Sequence, residues 1–254
     1  MPALAKAALQ MSALSFPLCA IVFGVNDVYD YESDLRNPRK KAEGMEGGIL
    51  NPVFHKDVLT AAYWSSAIVM TAAMVCGEPQ NVLANAVLVT LGWQYSSPPF
   101  RLKEIPVVDS ISNGLIVFLA WFIGFSFSGR SIAEAPAKGY MMSLCTAGVH
   151  ALGAVMDTEA DRAAGQKTIA VVLGKRCAAI FAAMCYVIAS TTVDANSIFG
   201  VYVRCGILIM VIPCIRPTLA HRAFQAIVYF SITMAIGWIG VEGKSRASKI
   251  LTAV

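Results

Sequence analysis

The chain has 254 residues, 57% of them hydrophobic and 14% charged, with a net charge of +4 and a mean hydropathy of +0.62. Ordinary soluble domains carry about 25% charged residues, so the composition excludes a soluble globular protein and indicates a membrane protein. Its 7 cysteines are scattered through apolar runs without zinc-type spacing, and its 3 histidines, His55, His150 and His221, stand far apart, so neither suggests zinc or haem.

Stretches long enough to cross a bilayer, roughly 17 to 25 residues each, occur near 7–29, 57–76, 80–97, 107–129, 138–157, 176–194, 197–215 and 222–241. They predict an all-α, polytopic transmembrane helix bundle of about eight helices, forming one domain over residues 1–254. The first stretch lacks a basic leader and runs into acidic residues, which argues against a cleaved signal.

That first stretch ends in "NDVYDYESD", residues 26–34. Residues three and four apart share one helical face, so Asp27, Asp30 and Asp34 form a stripe, with Asn26 one turn before Asp30. Carboxylates at a helix C-terminus oppose the helix dipole, so a compensating cation is expected. Arg36, Arg39, Lys40 and Lys41 follow, some placed to meet phosphate and some to anchor topology. Further on, "YSSPPFRLKEIP" at 95–106 sets Tyr95, Arg101 and Lys103 on the same membrane face, where a phenol and two cations can hold phosphate oxygens. Both cations are also what topology alone would place there. The next helix carries Phe118, Trp121, Phe122 and Phe125, which either line an apolar chamber or pack helices together.

The fifth stretch ends in "DTEADRAAGQKT", residues 157–168, where Asp157 and Asp161 repeat the four-residue step. Arg162 and Lys167 flank this cluster, Gly165 and Thr168 shape its loop, and Lys167 is within reach of a diphosphate held there. An apolar helix ending in carboxylates and followed by a basic, glycine-containing loop thus occurs at 27–56 and again at 157–176. Lys and Arg concentrate at the joints that share these clusters, which places both on the cytoplasmic face. Hard oxygen ligands suit Mg²⁺, which is commonly held by one or two carboxylates together with substrate phosphates. Two such sets facing one cavity would bind a diphosphate through bridging metals.

These residues resemble the UbiA superfamily of intramembrane prenyltransferases: "NDVYDYESD" fits its NDxxDxxxD motif and "DTEAD" its DxxxD motif. The resemblance implies a helix bundle around a central cavity, opening to lipid and capped by cytoplasmic loops. It implies Mg²⁺ held at Asp27, Asp30, Asp34, Asp157 and Asp161, and a prenyl diphosphate bound there with Asn26; Arg36, Arg39 and Lys167, read from their places beside these sets, are the further candidates for diphosphate contact. A basic residue after the Tyr-Ser segment, Arg101 or Lys103, polarises the leaving diphosphate, with Tyr95 beside it. The prenyl group passes to a lipophilic acceptor within membrane lipid, and no nucleic-acid or protein partner is implied. "EGGIL" and "YSSPPFRLKEIPVVDSISNGL" look most like the lycopene elongase and carotenoid prenyltransferase branch, and disfavour a hydroxybenzoate acceptor. A terpene cyclase on the same scaffold shares these motifs, and a cation transporter is a further alternative. Family members usually have nine helices, one of them before the helix that carries the first motif, so the resemblance implies that this preceding helix is missing from the sequence.

Overall fold

The structure is a computed structural model that describes residues 3–41 and 48–251, with side chains over 5–37, 40–41 and 48–240. The first membrane crossing is a broken helix: α1 (Ala3–Ala13), α2 (Phe16–Cys19), a π-turn at Ala20–Gly24, α3 (Val25–Tyr29) and α4 (Tyr31–Asp34). A short α5 (Pro38–Lys41) follows, and the glycine-containing part of the next loop lies outside the described residues. Long helices then alternate with short connections: α6 (His55–Cys76), α7 (Pro79–Ser96), α8 (Val108–Ser126) and α9 (Gly139–Ala163). The one-turn α10 (Ile169–Leu173) leads to α11 (Lys175–Ser190), α12 (Ile198–Ile215) and α13 (Ala220–Leu251). The described residues thus form an all-α bundle with eight long helical units, at the places where the apolar stretches predict them.

Six of the helical stretches are long and apolar enough to cross a membrane. Their outward faces carry large apolar side chains such as Phe16, Trp64, Leu208 and Tyr229, each more than 60% exposed. In water such surface would drive aggregation; in a bilayer it is solvated by lipid. Because lipid gives helices no hydrophobic reason to associate, close packing through small residues holds the bundle together. At the α9–α11 contact, Gly148 approaches so closely that an added Cβ would lie 2.9 Å from the Ala182 carbonyl. At the α8–α9 contact, a Cβ on Gly114 would lie 2.6 Å from the Ser143 carbonyl.

The largest core cluster joins α9, α10, α11, α12 and α13 around Leu152, Val155, Tyr186, Val203 and Ile227. The aromatic residues of α8 resolve into packing residues: Phe118 and Phe122 sit in a second core with Leu88 of α7, and Trp121 and Phe125 pack against it. They stack among themselves, with Phe118 also on Tyr140 at 4.7 Å between centroids. None of the four lines the polar cavity at the acidic end of the bundle.

Candidate active site

At the end of the bundle where α4 meets α9, a cavity of about 450 Å³ opens. Its polar wall includes Asn26, Asp30, Ser33, Asp34, Asn37 and Lys40 from the first motif and Asp157 and Asp161 from the second. Tyr95, Lys103, Asn113, His150, Gln166 and Thr168 complete that wall.

The first acidic set hangs on a distorted helix. The π-turn at Ala20–Gly24 widens the coil just before the motif, and a second irregularity falls at Asp30, with φ −97° and ψ −1°. Insertions of this kind rotate the downstream residues onto a new face and concentrate at functional sites. The Asn26 amide donates to Asp30 Oδ2 at 2.7 Å and to Ser96 Oγ at 3.0 Å, tying the motif to α7. Asp30 is ion-paired with Lys103. Asp34 lies 3.4 Å from Lys40, whose ammonium also stands 3.9 Å from Asp27. Burial raises the Asp34 carboxyl above its ordinary range against the lowering pull of Lys40, and the Asp27 and Asp157 carboxylates add to the rise.

The second set is on regular α9, which runs past residue 157 to Ala163 so that both carboxylates are helical. Asn37 Nδ2 donates to Asp157 Oδ1 at 3.3 Å, linking the two sets directly. Thr168 Oγ1 donates to Asp161 Oδ2 at 3.1 Å, and Gln166 N–H donates to the Asp161 carbonyl at 2.9 Å. Asp109, fully buried at the start of α8, accepts from its neighbour Ser110 N–H at 2.6 Å and from Ile169 N–H at 3.3 Å. One carboxylate therefore pins the α8 and α10 starts together and fixes the loop that carries Thr168.

The loop between α7 and α8 places the two candidate cations differently. Arg101 has a left-handed backbone, φ 44°, and its guanidinium turns to Glu104 at 2.6 Å, away from the cavity. Lys103, in the following 3₁₀ turn, is only 6% exposed and projects inward. Burial pulls its ammonium down to about 8, with Glu104 and Asp161 pulling the other way.

Other residues singled out in the sequence lie apart from the cavity wall. Asp27 is half-exposed and reaches the site through Lys40. Arg36 donates to the Ala163 carbonyl at 3.0 Å, bracing the two motif loops, and Lys167 is exposed. The side chain of Arg39 lies outside the described residues. Asp109, His150 and Asn113 join the site or its support without having been singled out in the sequence as site residues. Each is a polar side chain in an apolar helix, the signal that marks function or structural pinning in a membrane span.

The charge balance of the wall is the clearest chemical feature. Four carboxylates, Asp30, Asp34, Asp157 and Asp161, face two ammonium groups, Lys40 and Lys103. Among the described residues, no group of three or more His, Cys, Asp or Glu side chains is placed to hold a metal by itself. Excess negative charge divided between two sides fits cations that complete their coordination from an anionic ligand and water, as Mg²⁺ does.

A second, apolar cavity of about 390 Å³ lies between α9, α12 and α13, lined by Phe199, Tyr202, Met234 and Trp238 among others. It shares Thr146 and Val149 with the polar cavity.

Fold and cavity together define a polytopic membrane helix bundle with a carboxylate-rich chamber at one end and an apolar space beneath it. The chain belongs to the UbiA prenyltransferase family, whose model matches residues 3–233. It is 35% identical over 174 residues to the C(50) beta-cyclic carotenoids biosynthesis protein LbtBC of Dietzia sp. (strain CQ4), covering 68% of this chain and 40% of that protein. It is 34% identical over 179 residues to the lycopene elongase/hydratase of Corynebacterium glutamicum, covering 70% of this chain and 61% of that protein. The aligned region thus spans less than two thirds of either relative. Among solved structures, the fold matches a UbiA homolog from Archaeoglobus fulgidus bound to DMAPP and Mg²⁺, with TM-score 0.64 and 18% identity over 90% of this chain and 87% of that one.

Proposed function

We propose that this protein is a Mg²⁺-dependent intramembrane prenyltransferase that moves an isoprenyl group from a prenyl diphosphate to a lipophilic acceptor, releasing diphosphate. The observation that carries this reading is a cavity with carboxylates from two separate helices and two inward lysines, adjoined by an apolar cavity that shares Thr146 and Val149 with it. Family membership supports the reaction class. The DMAPP and Mg²⁺ named for the Archaeoglobus structure support the donor and the ion. The carotenoid and lycopene names of the two relatives support an alkene-bearing polyene as acceptor.

Asp30 and Asp34 on one side and Asp157 and Asp161 on the other would hold the ion, with Asn26 and Asn37 orienting the carboxylates. When bound, Mg²⁺ supplies Lewis-acid neutralisation of the diphosphate charge. Lys103 and Lys40 bring their ammonium groups to the departing oxygens, where fixed charge in a water-poor site stabilises a leaving group far more than it would in water. Asp27 acts through Lys40, and Arg36 through the contact between the motif loops. The apolar cavity below Thr146 and Val149 takes the hydrocarbon and keeps water from the allylic cation. With the Lys- and Arg-rich joints on the same side, the acidic sets face the cytoplasm.

The test is incubation of membranes containing the protein with labelled dimethylallyl diphosphate, Mg²⁺ and lycopene. The expected result is a prenylated polyene that disappears without Mg²⁺ and in Asp30→Asn. A cyclised hydrocarbon formed without lycopene would instead identify a terpene cyclase.

A further inference from the structure

Beneath the carboxylates, the cavity face of α9 descends through Asp157, Ala154, Gly153, His150 and Thr146. Gly153 meets nothing: an added Cβ would have no heavy atom within 4 Å, so this level is open space. His150 is seven residues below Asp157, about 10 Å along the axis at 1.5 Å per residue. The space beside Gly153 therefore lies between the anion-binding end and an imidazole. His150 Nε2 is 2.8 Å from the Tyr95 hydroxyl, and its Nδ1 is 3.2 Å from Ser110 Oγ. Tyr95 and His150 both line the cavity. With Nδ1–H donating to Ser110, Nε2 is left to accept the phenol proton.

Prenyl transfer to an alkene has a use for such a group. When the acceptor's π electrons form the new carbon–carbon bond, the positive charge moves to the adjacent acceptor carbon, where it ends either by capture of water or by loss of a proton from a neighbouring C–H bond, and only the second route needs a proton acceptor. Resting on the prenyl-transfer reading, we propose that Tyr95 and His150 form the proton-accepting pair that ends the reaction. The C–H electrons become the new double bond, the proton passes to the Tyr95 oxygen, and the phenol proton moves to His150 Nε2. The imidazolium then gives its proton back through the Tyr95 hydroxyl, and that proton leaves with the released diphosphate, so no other reagent is consumed. Tyr95 touches the acceptor, and His150 acts through it. Positioned proton transfer of this kind contributes about 10²- to 10⁴-fold.

The experiment compares wild type, His150→Gln, Tyr95→Phe and the double variant in proteoliposomes with dimethylallyl diphosphate, Mg²⁺ and lycopene. It measures donor affinity, total prenylated product and the ratio of alkene to water-captured alcohol. The expected result for His150→Gln is donor affinity within about threefold of wild type and at least a tenfold loss of alkene product, with the alcohol fraction rising. Tyr95→Phe should give the same shift, and the double variant should be no worse than either alone. An unchanged alkene yield and ratio in both single variants would overturn the assignment. So would a loss of product matched by an equal loss of donor affinity, which marks a structural pair. Failure of the transfer reading itself looks different: wild type would then release diphosphate without prenylating lycopene.

Discussion

The two acidic half-sites face the same cavity but are built differently. Asp157 and Asp161 project from an unbroken helix whose Leu152 and Val155 lie in the main core, with Thr158 fully buried between them. Asp30 and Asp34 sit on a helix interrupted by a π-turn and again at Asp30, and are held chiefly by Lys103, Lys40 and the Asn26 amide. Backbone fixed by buried apolar contacts opens with the whole core, whereas backbone fixed by polar contacts around a cavity opens locally. On this ground the second half-site is expected to act as the fixed jaw of the site and the first as the adjustable one.

The largest effects break both jaws alike. Asp30→Asn and Asp157→Asn should each reduce prenyl transfer by at least about 100-fold, since each removes a group on which neutralisation of the leaving group depends. Diphosphate release under saturating donor checks this. Circular dichroism of both variants should remain helical.

Asp109 pins the fixed jaw. Asp109→Ala leaves the Ser110 and Ile169 N–H groups without their buried acceptor, at a cost of about 1–3 kcal/mol. A lower unfolding midpoint in detergent, together with weaker Mg²⁺-dependent donor binding, is expected. Lys40→Met, on the adjustable jaw, should weaken donor binding without changing that midpoint.

A pH profile sharpens the role of the inward lysine. Burial lowers the Lys103 ammonium to about 8, so its charge is present below that pH and lost above it. Donor affinity should accordingly fall as pH rises through about 8. Arginine stays protonated throughout, so Lys103→Arg should remove that fall whatever it does to absolute affinity. The smallest effect belongs to Arg101→Gln. A partly exposed ion pair with Glu104 contributes on the order of 0–1 kcal/mol, and transfer rates should stay within a few-fold of wild type.

Much of this was legible from residue order. Apolar run length marks helices because the bilayer fixes their span. The four-residue steps from Asp30 to Asp34 and from Asp157 to Asp161 point to shared faces, whereas Asp27, three before Asp30, lies off the cavity wall because the helix is interrupted at Asp30. Which of Arg101 and Lys103 faces the cavity was not legible, since it turns on a left-handed residue and the short turn that follows it. Nor was the fate of Phe118 and Phe122, because an aromatic stripe reads the same whether it meets a ligand or Leu88. Asp109 and His150 were not singled out as site residues, although each is a polar residue in an apolar helix. Their partners, Ile169 and Tyr95, are 60 and 55 residues away and are brought near only by packing.

The central claim is that the two jaws act on one ligand, and a double-variant binding cycle tests it most directly. Titration of dimethylallyl diphosphate into purified protein, with and without Mg²⁺, gives the Mg²⁺-dependent affinity of wild type, Asp34→Asn, Asp157→Asn and the pair. Joint action predicts that either single variant removes most of the Mg²⁺-dependent gain and that the second adds little. Two independent losses that sum in the pair, or a Mg²⁺-dependent gain that survives in the pair, would contradict the account.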